Sequence, residues 1–205
     1  MSELDHLVYA VPSLEEGVAW FASVTGVTPA KGGSHPGGTA NYLVSFGPTS
    51  YLEIIGPDPA WEGERPRAFG LESLTSARLA AWAIHPADID KTVRQARDAG
   101  YDPGDVEPLS RRKPDGTLLE WRLTRREDPA AIRPVPFLID WGTTQHPADS
   151  GLPRVELVSF TATHPSPSVL LADLAAVGAA LEVTEGESVS LTAVLSTPKG
   201  LVTLA

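Results

Sequence analysis

The chain has 205 residues and a formal net charge of −10, and a surplus of carboxylates argues against nucleic acid, whose phosphates demand Lys and Arg. It contains no cysteine, which excludes disulfides, thiolate nucleophiles and zinc–thiolate sites. No run approaches the ~18 apolar residues of a membrane helix and no basic-then-apolar leader precedes Leu4; the expectation is a cytoplasmic globular protein with neither a nucleic acid nor a membrane as partner.

In chain order, the first element is a strand, Leu4-Asp5-His6-Leu7-Val8-Tyr9-Ala10-Val11. Period-two alternation puts His6 on one side with Leu4, Val8 and Ala10, and Asp5, Leu7, Tyr9 and Val11 on the other. Pro12 and Ser13 end the strand and open a helix, Leu14 to Thr25, with Ser13 as N-cap, Glu16 completing a capping box and Gly26 as the stop. The glycine-rich residues 32–39 read as a loop over one face. Asn41 to Phe46 and Ser50 to Ile55 read as strands split by the turn Gly47-Pro48-Thr49.

The same order of elements recurs twice. Leu79 to Ile84 is followed by His85-Pro86, a helix from Asp88 to Ala99 and Gly100, then strands over Thr117 to Thr124 and Val135 to Trp141. Val158 to Thr163 is followed by His164-Pro165-Ser166, a helix through Leu170, Leu171 and Leu174, and Gly178, then strands at Val183, Ser188 to Leu195 and Leu201 to Leu204. Each unit is βαβββ, which predicts an α+β region spanning 1–205 with modules at about 4–57, 78–142 and 154–205. Residues 57–77, with a short helix near Leu71, and the polar linker 143–153 fall outside the repeats.

Five motifs carry a family resemblance: the first strand, His35-Pro36-Gly37-Gly38-Thr39-Ala40-Asn41, Tyr51-Leu52-Glu53-Ile54-Ile55-Gly56, Trp121-Arg122-Leu123-Thr124 and Pro136-Phe137-Leu138-Ile139-Asp140-Trp141-Gly142. In this order they resemble the vicinal oxygen chelate superfamily and, more narrowly, its glyoxalase-like domain group. The resemblance implies that paired modules curl a mixed sheet into an incomplete barrel around a small-molecule pocket. It also implies metal ligands on the first and fourth strands of two modules. His6 and Glu53 fall on those positions in the first module, whereas the second offers Leu79 and Ile139, or Asp140 after a one-residue slip, and the third offers Val158 and Thr203. Two protein donors leave a divalent ion mostly hydrated, so a weakly bound metal or none is expected.

Glu53 stands in the apolar run Tyr-Leu-Glu-Ile-Ile, where a carboxylate is costly unless it is paired or used. It is the candidate general base or metal ligand, with His6 as its partner. His6 has a second reading, a core histidine bonded to a neighbouring carboxylate. His35, Thr39, Asn41, Tyr51, Trp121, Arg122, Asp140 and Trp141 are the candidate substrate-binding residues, and Trp82 joins Trp121 and Trp141 as a stacking surface. Arg122 with Asp140 reads equally as an ion pair. Arg111-Arg112-Lys113 reads as a solvated turn, His85 and His164 as turn residues, and His146 as uninformative alone. No nucleophile elbow, phosphate loop or dinucleotide fingerprint is present. The expected functions are a lyase or isomerase acting on a small carbonyl compound, a metal-free protein that binds or sequesters a small molecule, or an oligomeric module. A homodimer is the expected assembly, with the third module extending the curved sheet or pairing with a symmetry mate.

Overall fold

The fold is given by a computed structural model that describes residues 3–112, 115–126 and 132–205. The first strand, β1 (Glu3–Ala10), leads into α1 (Leu14–Thr25) through the cap read above. Ser13 has extended backbone and its side chain accepts from the Glu16 amide, while Gly26 closes the helix at φ 76°. β2 (Ala30–Ser34), β3 (Thr39–Ser45) and β4 (Tyr51–Pro57) complete the first module. The second contains β5 (Arg78–His85), α2 (Ile89–Asp98), β6 (Asp105–Arg112), β7 (Leu118–Arg125) and β8 (Phe137–Asp140). Asp88 caps α2 by accepting from the Lys91 amide at 2.9 Å.

Two stretches differ from expectation. Gly32-Gly33 belongs to β2 rather than to a loop, because Gly32 is the extra residue of a bulge where the β2–β3 register shifts between Lys31 and Gly33. Arg111 and Arg112 belong to β6 rather than to a solvated turn, paired with Leu119 and Leu118 of β7. Lys113 lies outside the described residues.

The eight strands close into a barrel in the order β1-β4-β3-β2-β6-β7-β8-β5, with β5 returning to β1. The incomplete barrel expected from the resemblance is therefore corrected. The seam between modules is sealed by the backbone pair Ser34 and Arg112, and the Arg111 Nη1 donates to the Gly32 carbonyl beside it. Outside the barrel, Leu7 and Tyr9 of β1, Val11 just beyond it, and Leu52 and Ile54 of β4 meet Leu14 and Phe21 of α1. Full burial of each of the larger apolar side chains contributes about 1.5–3 kcal/mol.

The two segments outside the repeats plug the barrel. Leu71 and Leu74, beside a short helical turn at Ala68–Gly70, pack on Val8, Ala10 and Ile55 at one end. At the other end Ala148, in the turn Pro147–Asp149, packs with Tyr51, Trp121 and Trp141. What lies between the plugs is shielded from bulk water.

The third module keeps the order of elements but not of strands: β9 (Glu156–His164), α3 (Pro167–Ala176), β10 (Glu182–Glu185), β11 (Ser190–Thr197) and β12 (Gly200–Leu204). They form a separate sheet, β10-β9-β11-β12, in place of the expected extension of the barrel sheet. In the barrel modules the first strand lies beside the fourth, whereas α3 crosses over to set β10 parallel and adjacent to β9. This sheet packs on the outside of the barrel, where Phe160 of β9 meets Trp82 of β5 edge to face at 5.3 Å and the Leu79 amide donates to the Ala205 carbonyl.

Candidate functional site

His6 and Glu53 face each other inside the barrel. Val8 pairs with Glu53 across β1 and β4, and His6 pairs with Tyr51, so alternation sends His6, Tyr51, Val8 and Glu53 to the same inner face. The His6 Nε2 and a Glu53 carboxylate oxygen are 3.9 Å apart, and both side chains are buried. That separation is too long for a hydrogen bond. Each group is anchored from behind: Asn41 donates its Nδ2 to the other Glu53 oxygen at 2.6 Å, and the His6 Nδ1 meets the Asp5 carboxylate at 2.6 Å. The His6 ring stacks on Tyr51 at 4.7 Å and takes the edge of Phe137 at 5.4 Å, which fixes its plane.

Asp5 was expected on the opposite face, and here the structure corrects the alternation. The β1–β5 register shifts between Leu4 and His6, leaving Asp5 as the unpaired residue of a bulge, which turns its carboxylate towards the interior. It is 1% exposed. The Trp141 Nε1 donates to it at 3.0 Å and the His146 Nε2 lies 3.1 Å away. Burial alone would raise the Asp5 pKa, but the hydrogen bonds to His146 and His6 and the charges of those rings outweigh it and hold the carboxyl well below the ordinary range. With Asp5 ionised, the His6 Nδ1 is the donor in that contact and Nε2 is the ring nitrogen turned towards Glu53. The opposing pair is thereby one carboxylate oxygen and one imidazole nitrogen, both aimed at the same gap.

The remaining inner wall mixes polar groups and aromatics. His35 meets the Thr39 hydroxyl at 3.0 Å and lies edge-on to Trp121 at 6.2 Å. Its enclosure pushes the imidazole below its ordinary pKa, against the opposing pull of Glu53. Tyr51 is raised well above the usual phenol value, first by burial and then by the Asp5 and Glu53 charges. Trp121 and Trp141 lie 5.4 Å apart, ring centre to ring centre. A cleft of about 940 Å³ opens outside the Asp5 end, lined by His85, Trp141, Thr144, His146 and the end of α3. His146 stands between that cleft and Asp5.

Of the residues singled out from the sequence, His6, Glu53, Asn41, Tyr51, Thr39, His35, Trp121 and Trp141 come together around the interior. Arg122 and Asp140 do not. They form an ion pair at 2.7 Å on the outside of the barrel, and Arg122 also binds Asp90 of α2 at 3.0 Å, so the pair fastens that helix to β7 and β8. Trp82 also leaves the set, since its ring lies in the outer core and its Nε1 donates to the Pro134 carbonyl. Sequence reasoning missed Asp5, His146 and Arg111. Arg111 is 4% exposed and sits on β6 next to the Gly32 carbonyl; its alternation with Leu109 is the one sequence signal of that strand, and Pro108 and the neighbouring basic residues mask it.

The donor set does not fit an enclosed divalent ion. His6 and Glu53 are two donors, and the facing inner residues of β5 and β8 are Ala81, Ala83, Phe137 and Ile139. Leu79, the residue aligned with His6, pairs with Tyr9 and points to the outer core. Val158 and Thr203 belong to the separate sheet of the third module. Asp140 is spent on Arg122. Among the described residues no group of three or more His, Asp or Glu side chains is placed to hold a metal ion.

Comparisons with known proteins bear on the fold. A hypothetical protein from Staphylococcus aureus superposes with a TM-score of 0.68 at 14% identity, over 93% of this chain and 88% of that one. A mutant of 4-hydroxymandelate synthase from Streptomyces coelicolor gives 0.51 at 13% identity, over 99% of this chain and 62% of that one. Methylmalonyl-CoA epimerase from Mycobacterium tuberculosis gives 0.38 at 16% identity, over 66% of this chain and 84% of that one. No curated protein matches the chain. Residues 4–178 match the family described as "Glyoxalase-like domain". With its paired modules closed around a buried histidine and glutamate, the chain belongs to the glyoxalase-like domain family.

Proposed function

We propose that the protein is a lyase or isomerase that moves a proton on a small carbonyl compound held inside the barrel. The observation that carries this reading is the opposed pair, His6 Nε2 and the Glu53 oxygen at 3.9 Å, each tied from behind and neither satisfied by the other. Glu53 takes the proton from the carbon beside the carbonyl. His6, when it carries a second proton, donates from Nε2 to the substrate oxygen with the ionised Asp5 balancing its charge, and Glu53 then returns the abstracted proton to carbon. Asn41 holds the Glu53 carboxylate in one rotamer. No step needs a metal, because the chain supplies both the base and the proton carrier.

The test is hydrogen–deuterium exchange followed by NMR, with dicarbonyl–thiol adducts and aromatic carbonyl compounds as substrates. Exchange at the carbon beside the carbonyl is expected with the native protein, with a fall of about 10²–10⁴ in Glu53→Gln. Added chelator should leave the rate unchanged. Complete loss with chelator and recovery with stoichiometric divalent metal would replace this reading with a metal-assisted one whose further ligand comes from a second subunit. Saturable binding with no exchange would favour the second reading, a protein that binds or sequesters the compound, which the Trp121 and Trp141 rings also support.

A further inference from the structure

Arg111 and Asn41 converge on the glycine pair of β2. Asn41 pairs with Gly33 across β2 and β3, and the Arg111 Nη1 donates to the Gly32 carbonyl. A Cβ on Gly32 would run into the Asn41 amide oxygen, and one on Gly33 would come within 3.3 Å of the Arg111 Nη1. The two polar ends therefore flank one short stretch of bare backbone, packed so closely that neither glycine has room for a side chain.

Both groups are under-used. The Asn41 Nδ2 is committed to Glu53, which as an acceptor can only face the amide's donor side, and this leaves the Asn41 Oδ1 buried with no partner. Arg111 is 4% exposed, yet its hydrogen bonding is to a single carbonyl and no carboxylate among the described residues comes within ion-pair distance of it. Burial works against its charge and lowers its pKa, outweighing the nearby Tyr51 and Glu53, which favour the charge without pairing with it. A buried guanidinium without a carboxylate is a site built for an anion, and its planar fork matches a carboxylate in two places. A buried amide oxygen without a donor calls for a hydroxyl or N–H.

We propose that Arg111 and Asn41 form a subsite for a small 2-hydroxycarboxylate, or the enol of a 2-oxocarboxylate, with Arg111 on the carboxylate and the Asn41 Oδ1 accepting from the hydroxyl. This rests on the proposed function for the interior as the substrate site, and it narrows the carbonyl compound to one whose carboxylate is bonded to the oxygen-bearing carbon. Glu53, tied to the other end of the Asn41 amide, then lies beside that carbon.

The test is a binding titration by tryptophan fluorescence and calorimetry on the full chain, with lactate, glycolate and 2-hydroxybutyrate against the neutral lactamide and glycolamide. The carboxylates are expected to saturate, with the amides about 10–100-fold weaker. Arg111→Gln should erase that preference, Arg111→Lys should keep part of it, and Arg97→Gln, which breaks an exposed ion pair with Asp102 and Asp105, should leave it intact. Glu53→Gln should still bind the carboxylates, so that loss of proton transfer and loss of binding are read apart. Amides binding as tightly as carboxylates to the native protein would overturn the proposal whether or not the variants fold. So would the absence of saturable binding by any of the three acids, or equal losses in Arg111→Gln and Arg97→Gln.

Discussion

Asp5 accepts from three rings at once, so its replacement has consequences that can be separated. Asp5→Asn replaces the ionised acceptor shared by three rings with a neutral amide that keeps one oxygen, and the loss of the charge-assisted bonds should lower stability by about 1–3 kcal/mol. Its pH dependence has a definite sign. The folded carboxyl titrates below its ordinary value of 3.8, so its contribution is fully present above that pH and is lost as pH falls through the depressed value. Urea unfolding followed from neutral to acid pH should show a steeper acid limb for the native protein than for Asp5→Asn; identical limbs would mean that the carboxylate is not held as described. His35 works in the opposite sense. Its folded pKa lies below the ordinary 6.5, so the unfolded chain binds the proton first and stability falls as pH drops from 6.5 towards the depressed value, a loss that His35→Asn should remove. His6 and Glu53 were legible in the sequence because a histidine and a carboxylate in apolar strands are individually expensive. Asp5 was not, because a bulge is a property of strand register and not of composition, and His146 meets it across 141 residues of chain.

At the scale of the element, β2 decides whether the barrel closes. Gly33 has φ 150°, and a Cβ there would collide with the Arg112 carbonyl across the seam. Gly33→Ala is therefore expected to push β6 away at the Ser34–Arg112 pair, at a cost of about 1–3 kcal/mol, and to release the Arg111 guanidinium from the Gly32 carbonyl. Amide exchange should rise at Ser34 and Arg112 while the β3–β4 ladder stays protected; unchanged protection at the seam would show that another contact closes it. The helices were legible with their ends, since Ser13, Asp88 and Gly26 act locally and do what their chemistry favours anywhere. β2 and β6 were not, because glycines and a proline inside a strand argue against it locally. Their pairing is supplied by neighbours more than sixty residues apart in the chain, as Ser34 and Arg112 are.

For the whole molecule, the question is whether the third module is an appendage or part of one folding unit. The repeat in the sequence correctly signalled its strand–helix–three-strand order but could not reveal its strand order, because both arrangements bury the same alternating residues. What joins it to the barrel is a continuous core in which Leu79, Trp82 and Ile84 of β5 share a cluster with Ala162, Leu191, Ala193 and Leu195 of the added sheet. Trp82 is central to that contact, 3% exposed and set edge-on against Phe160. We therefore expect residues 3–205 to unfold in one calorimetric transition, with the whole curve shifted by Trp82→Ala, whose lost ring costs about 3–5 kcal/mol. Because Trp82 lies on the outer side of β5 while Ala81 and Ala83 face inward, that variant should keep its affinity for a ligand of the interior at temperatures where it is folded. Two resolved transitions in the native protein, or a Trp82→Ala that melts the added sheet alone, would divide the chain into separate units.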